Sequence, residues 1–200
     1  MESIDQQKDA MRKMIFVRRC AMTDQQRTTQ SLQACRKLVA LLDLSPHSVL
    51  GLYSAMDQEL SLHALAHHAY QCDTAVAFPC MRKPGAPGEP MLMDFRLVAP
   101  EHYQQETAPF VTNPLKSFKV NDPALEAFPL VDPADLTHLV CPLVAFDAHH
   151  NRLGYGGGNY DRYLPQLSPR CKIMGVAFAQ QEVELVPTDA HDIRIPIVSA

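Results

Sequence analysis

Apolar and polar positions alternate at helical spacing from the start of the chain. Ile4, Met11 and Ile15 fall on one face of a segment running from Ser3 to Cys20, with Lys8 and Arg12 four apart on another. This predicts a first helix. A second is predicted from Thr23 to about Leu42, with Leu32, Leu38, Leu41 and Leu42 as its apolar members and Pro46 beyond its end. Thr23 with Gln26 three residues on has capping-box spacing. The pattern then shortens. Val49–Tyr53 reads as a buried strand, Leu60–Gln71 as a helix apolar at Leu62, Leu65, Ala66 and Ala69, and Ala75–Phe78 as a strand ended by Pro79. Strand, helix and strand in about thirty residues form a βαβ unit, which implies a parallel sheet.

The middle of the chain breaks this order. Eleven of the 16 prolines lie between Pro79 and Pro142. One clear strand, Met91–Val98, is expected there among long irregular loops. Regular patterning returns with Leu139–Phe146, strand-like although Pro142 interrupts it, and a turn over Asp147–Asn151. A glycine-rich stretch follows, leading into a helix with Tyr163 and Leu164. Further strands are predicted at Ile173–Phe178 and Ile195–Val198. No repeat or low-complexity tract is present, and residues 1–200 are read as one α/β domain.

Composition narrows the class. Hydrophobic residues at 46% and charged residues at 20% suit a folded domain rather than a disordered chain. The longest runs without Asp, Glu, Lys or Arg, Leu44–Met56 and Leu60–Cys72, are too short and polar to span a bilayer. The charged N-terminal segment carries no apolar core of a signal peptide. A net charge of −4 argues against bulk nucleic-acid binding, while leaving room for a local anion site. The six cysteines contain no C-x-x-C pair, so they read as buried, reduced thiols of a cytoplasmic protein.

Candidate chemistry gathers at Arg152-Leu153-Gly154-Tyr155-Gly156-Gly157-Gly158-Asn159-Tyr160-Asp161-Arg162. Four glycines in five residues let backbone N–H groups approach an oxyanion, and Arg152 and Arg162 flank them. The stretch fits neither G-x-x-x-x-G-K-[ST], for lack of the lysine, nor G-x-G-x-x-G, because Asn159 stands at the last glycine. The plain alternative is a tight turn before a helix. Asp161 and Asp192 are candidate Mg²⁺ ligands, one or two carboxylates being the usual protein share of such a site. Asp161 is equally suited to capping its helix or pairing with an arginine. Lys8 and Arg12 by themselves suit a solvated basic face. Glu59 follows a strand end, where ligands of open α/β sheets collect, or else compensates a helix N-terminus before Leu60. His63 and His67 have metal-pair spacing without a third ligand, His149 and His150 belong to an exposed turn, and no covalent nucleophile signature occurs.

Taken together, these residues resemble the 5-formyltetrahydrofolate cyclo-ligase family, also called methenyltetrahydrofolate synthetases. The resemblance rests first on Cys141-Pro142-Leu143-Val144-Ala145-Phe146-Asp147 followed by the eleven-residue glycine stretch. Weaker matches follow in the family's order: Lys8-x-x-Met11-Arg12, Gln58-Glu59-Leu60, Phe118-Lys119-Val120-Asn121-Asp122-Pro123, and Gly175-Val176-Ala177-Phe178 with Gln181, Pro187 and His191-Asp192. The resemblance covers nearly the whole chain. It implies a three-layer α/β/α fold with a mainly parallel sheet, similar to phosphosugar isomerases and CoA transferases and extended by the Pro-rich middle.

The resemblance also implies an activity: ATP- and Mg²⁺-dependent cyclisation of 5-formyltetrahydrofolate to 5,10-methenyltetrahydrofolate, giving ADP and phosphate. The formyl oxygen takes the γ-phosphoryl group, and N10 then displaces phosphate. Arg152, Tyr155 and Asp161 would be catalytic. Lys8, Arg12 and the run Arg152, Leu153, Gly154, Tyr155, Gly156, Gly157, Gly158, Asn159 and Tyr160 would bind ATP. Ser54, Glu59 and Tyr155–Asn159 would bind folate, with Asp161 and Asp192 serving Mg²⁺. The implied partners are small molecules, reduced folate and ATP, acting on a cytoplasmic monomer or weak homo-oligomer. Three positions depart from the family's pattern. Asn159 stands for an aromatic residue, Leu62 for a threonine and Lys119 for a glycine. A binding paralogue with little turnover is the alternative those departures suggest. A sugar-phosphate isomerase would need no ATP.

Overall fold

The computed structural model describes residues 3–84, 91–119, 121–189 and 192–200. The expected elements at Val120 and His191 lie outside these residues. Two long helices open the chain, α1 (Ile4–Cys20) and α2 (Asp24–Leu41), each started by a capping box. Ser3 accepts from Gln6 N and Thr23 from Gln26 N, and each glutamine side chain returns a bond to its cap. Such reciprocal caps contribute roughly 1 kcal/mol each and set where a helix begins.

The main sheet has the strands β1 (Val49–Gly51), β2 (Ala75–Arg82), β3 (Leu92–Leu97), β4 (Ser117–Phe118), β5 (Leu130–Val131), β6 (His138–Pro142), β9 (Lys172–Ala177) and β10 (Ile197–Ser199). A separate ribbon pairs β7 (Ala145–Phe146) with β8 (Arg152–Leu153). The sheet order is β10-β9-β6-β1-β2-β3-β5, with β4 also beside β2. Pairs from β10 to β2 and β2 with β4 run parallel, whereas β2–β3 and β3–β5 run antiparallel. The βαβ unit forms as expected through α3 (His63–Gln71).

Burial alternates with the pleat, which separates the two faces. Leu50, Val76, Phe78, Val140 and Val176 pack with Ala34, Cys35, Leu38, Leu65 and Ala66 of α2 and α3. Ala77, Leu139 and Cys141 point the other way, against Tyr163, Leu164 and Leu167. The second layer is thin, consisting of α4 (Asn159–Tyr163) and a 3₁₀ turn over Leu164–Gln166. The helix α1 lies against the β7–β8 ribbon, where Ile15 meets Val144, Ala145 and Leu153.

Several expected boundaries move, for identifiable reasons. The helix predicted from Leu60 starts at His63, because Leu60 and Leu62 are buried as part of the loop that enters it. The first strand stops at Gly51. Pro79 does not end β2 but sits inside it. Its nitrogen points to the same side as Ala77, whose carbonyl accepts from Leu52 N, and β1 has already ended there while β4 has not begun. A missing donor costs nothing at such a gap. Pro142 splits the predicted Leu139–Phe146 strand into β6 and β7, which belong to different sheets. Among the residues counted as apolar contacts, Ile4, Leu32 and Leu41 are exposed, and so is Cys20 among the thiols. Among the described residues no helix is long and apolar enough to cross a membrane.

The turn between β7 and β8 is organised by one buried carboxylate. Asp147 accepts from His149 N, Asn151 N, the Asn151 amide and Val186 N, at 2.9–3.1 Å. Burial alone would push its pKa up, but these donors outweigh it and hold the carboxyl below its ordinary value. Its stabilising contribution is therefore complete above about pH 4 and is lost as pH falls through the lowered value. Asp147→Ala strands the buried Asn151 and Val186 donors, and is expected to destabilise the protein by about 3 kcal/mol at pH 7. Urea midpoints for wild type and variant should converge as pH falls through the lowered value. A constant gap between them would contradict the assignment.

Candidate active site

The chain passes from β1 to β2 on one side and later returns through β6 on the other, so the β1–β6 border is where the strand order reverses. Ligands of open α/β sheets gather beyond the carboxyl ends of strands at such a border. Here β1 leads into the loop holding Ser54 and Glu59. The end of β6 leads through the β7–β8 ribbon into the glycine loop. Gln181 fixes this junction, its buried amide donating to Leu143 O at 2.7 Å and Val144 O at 3.0 Å.

The glycine loop borders a cavity of about 290 Å³. It is lined by every residue from Arg152 to Asp161, together with Asp5, Lys8, Arg12, Pro142, Asp189 and Asp192. Gly156 at φ +97° and Gly158 at φ +63° take left-handed backbone that side chains disfavour. A Cβ on Gly156 would also press on the Arg12 guanidinium at 3.3 Å. Arg12 closes the loop from α1, donating from Nε to Gly154 O at 2.9 Å and from Nη1 to Asp9 at 2.6 Å.

Lys8 is not part of a solvated basic face. It is 7% exposed, and its ammonium donates to Asp189 at 2.9 Å and Asp192 at 2.7 Å. Burial would lower its pKa, yet the hydrogen bonds and charges of the two carboxylates overcome this and raise it. Lys8 is therefore cationic throughout the physiological range. Arg152 is 6% exposed and forks onto Asp161 through Nη2, while its buried Nε has no partner. The residue as a whole lines the cavity beside the glycine loop, with its charge balanced by Asp161. Arg162, expected to flank the anion site, turns away to Gly157 O and Asn159 Oδ1 and does not line the cavity.

Asp161 and Asp192, 31 positions apart in the chain, face the same cavity. Both are already ion-paired, Asp161 through Oδ1 to Arg152 and Asp192 through Oδ2 to Lys8. Among the described residues no cluster of three His, Cys, Asp or Glu side chains could hold a metal by itself. His63 and His67 meet only edge to face, with His63 stacked on Tyr103.

Glu59 does not compensate a helix terminus, since α3 begins four residues later. Its Oε2 accepts from Met56 N at 2.8 Å and its Oε1 from the Tyr155 hydroxyl, which links the β1 loop to the glycine loop. Ser54 is not brought to that link. It borders a smaller pocket of about 200 Å³ with Tyr53, Phe78, Tyr103 and Val111. Burial pushes the Cys80 and Cys141 thiols up to about 11 and about 12, which makes neither a nucleophile at neutral pH.

Sequence reasoning missed Arg19. It is 5% exposed and bonded to Gln58 O at 2.6 Å and the Tyr155 hydroxyl at 2.7 Å. Its signal was its spacing. Lys8, Met11, Ile15 and Arg19 form one i, i+3, i+7, i+11 stripe of α1, and a cation on a stripe with a buried Ile is a cation turned inward.

A cavity lined by a glycine loop, three basic and four acidic side chains lies at the strand-reversal border of a mostly parallel sheet, where α/β proteins that bind small molecules place their ligand sites. The comparisons with known proteins are more specific. Residues 4–200 match the 5-formyltetrahydrofolate cyclo-ligase family, and the chain belongs to it. The Escherichia coli K12 5-formyltetrahydrofolate cyclo-ligase is 29% identical over 186 residues, 92% of this chain and 95% of its own. The Haemophilus influenzae cyclo-ligase is 31% identical over 149 residues, 73% and 72% of the two chains. The fold is shared with a 5,10-methenyltetrahydrofolate synthetase from Mycoplasma pneumoniae at 21% identity, TM-score 0.68, over 96% of this chain and 97% of that one. It is shared also with the Aquifex aeolicus synthetase at 24% identity, TM-score 0.69, over 96% and 89%.

Proposed function

We propose that this protein is an ATP-dependent 5-formyltetrahydrofolate cyclo-ligase, which forms 5,10-methenyltetrahydrofolate, ADP and phosphate. The observation that carries the reading is the convergence of Lys8, Arg12 and Arg152 with the glycine loop on one cavity. A formamide oxygen is a poor leaving group. In the proposed reaction it attacks the γ-phosphorus as the bond to ADP breaks. N10 then adds to the formyl carbon, the carbon–oxygen bond to phosphate breaks, and N10 gives up its proton. Each step asks the protein for positioning and charge stabilisation rather than a covalent nucleophile.

Lys8, Arg12, Arg152 and the glycine-loop backbone hold the phosphates in this scheme. Glu59 accepts from N–H groups of the pterin ring, and Tyr155 to Asn159 separate the two substrates. The charge balance explains why a divalent cation suits the site. The lining residues include three cations against the four carboxylates Asp5, Asp161, Asp189 and Asp192, so a bare triphosphate would meet excess negative charge. Asp161 and Asp192 are the residues to hold Mg²⁺. Bound with ATP, the ion would neutralise phosphate charge in the transition state. In the free protein two of the three phosphate-binding cations are paired with the carboxylates assigned to the metal, Lys8 with Asp192 and Arg152 with Asp161. The substrate would exchange both pairs at once. As an enzyme of diffusible metabolites, it is expected to work in the cytoplasm.

The test is to follow the near-ultraviolet absorbance of methenyltetrahydrofolate in purified protein given 5-formyltetrahydrofolate and Mg²⁺, with and without ATP. A rise that requires ATP is expected. A flat trace from folded protein would overturn the proposal.

A further inference from the structure

Arg19 is buried in α1 and makes no ion pair among the described residues. A buried cation without a direct carboxylate is costly unless its donors are engaged, and a purely structural position would be better filled by a neutral side chain. Its donors grip two places. Nε holds the carbonyl of Gln58, the residue before Glu59, and Nη1 holds the hydroxyl of Tyr155, whose ring lies 5.9 Å from the guanidinium. Because Nη1–H donates to the Tyr155 oxygen, the tyrosine's own proton is left to donate to Glu59. Arg19 thus brackets Glu59, through its preceding carbonyl on one side and through its carboxylate on the other. A second arginine reinforces the arrangement, with Arg27 Nη1 bonded to Arg19 O and Gln58 Oε1, each at 3.3 Å.

Tyr155 belongs at the same time to the nucleotide cavity. The chain Arg19–Tyr155–Glu59 therefore joins the glycine loop to the β1 loop across the space between them. We propose that Arg19 is a positioning residue that fastens the glycine loop to the Glu59 loop, so that nucleotide and folate bind cooperatively. This rests on the functional reading above and adds to it a residue and a coupling. Ordering of the loop by phosphates fixes Tyr155, and Tyr155 fixes the carboxylate that meets the pterin. A ligand on Glu59 orders the glycine loop by the same route, since coupling between sites is reciprocal.

The test is titration calorimetry of the full chain with 5-formyltetrahydrofolate, alone and in the presence of Mg²⁺ and the non-hydrolysable β,γ-imido analogue of ATP. Wild type is expected to bind folate about tenfold more tightly with the analogue present. In Arg19→Lys each ligand alone should bind within about fivefold of wild type, with the coupling reduced to about twofold or less; in Tyr155→Phe the readout is the coupling alone, the ratio of folate affinities with and without the analogue, which should fall to the same level whatever the single affinities become. Lysine keeps the charge but cannot grip both oxygens, so a role limited to charge would preserve the coupling. Should Arg19→Lys fail to fold, Tyr155→Phe decides, because it removes one oxygen from a half-exposed side chain. Coupling that survives in Tyr155→Phe, or is missing from wild type while both ligands bind, overturns the proposal. Absence of binding by either ligand to wild type would instead overturn the functional reading, and this inference with it.

Discussion

Replacing Arg152 with methionine is expected to lower kcat/KM for ATP by about 10³-fold, the scale set by a guanidinium that holds the phosphates and stabilises the charge that develops as the phosphoryl group is transferred. Arg152 is the member of the cation trio with a buried N–H left unmatched by the protein. That donor is shielded from solvent in the free protein, so a phosphate oxygen that reaches it on binding would supply the partner it lacks. Its other arm is anchored on Asp161, which holds the plane of the fork. Arg152→Lys should recover little, with a loss still on the order of 10²-fold, because one ammonium cannot hold Asp161 and present a second donor edge. Steady-state rates at varied ATP, alongside circular dichroism to confirm folding, measure both. A lysine variant within a few-fold of wild type would show that only the charge matters.

The route by which sequence led to this site was uneven, and the unevenness has physical causes. Local rules worked where local interactions decide. The capping-box spacing at Thr23 placed the start of α2, and short apolar runs bounded by a helical pattern placed the βαβ pair. Such rules failed where a neighbour in space decides. Whether Pro79 ends a strand depends on which strands flank it, and its lost donor faces a gap between β1 and β4. Pro142 marks a change of sheet, which periodicity along a single chain cannot distinguish from a pause. For Lys8, the partners that make burial tolerable lie 181 and 184 positions away. Read alone, the lysine looks like surface. The glycine loop was legible because its composition is itself the constraint: Gly156 and Gly158 need left-handed backbone.

Arg19 and Tyr155 show a further limit. The α1 stripe turns Arg19 inward and the glycine stretch contains Tyr155, but the link between them exists only in the contact of three segments separated by about forty and about ninety-six positions. Glu59 was placed in the substrate site through its strand end, yet its bonds to Met56 N and the Tyr155 hydroxyl explain why that carboxylate keeps a fixed orientation. Fixing a carboxylate by two donors leaves its outward lone pairs directed together, which suits the adjacent N–H groups of a pterin edge.

Asp161→Asn is expected to lower turnover by about 10²-fold while leaving folate affinity within about twofold of wild type, since the carboxylate serves the phosphate end of the reaction. The substitution keeps the shape and one acceptor oxygen, so Arg152 retains a partner but loses the charge that balances it. Two effects then act in the same direction. The proposed divalent cation would lose one of its two carboxylates, and Arg152 would be freed to hold phosphate more tightly in the ground state, which does not help the transition state. The Mg²⁺ concentration for half-maximal rate should therefore rise, whereas KM for ATP should change less than kcat. Direct titration of 5-formyltetrahydrofolate, with no nucleotide present, separates this role from a general loss of structure. Equal loss of folate binding and turnover would remove Asp161 from the metal site and leave it as the partner that orients Arg152. An unchanged Mg²⁺ dependence with reduced kcat would give the same answer by a second route, because the arginine alone would then carry the effect.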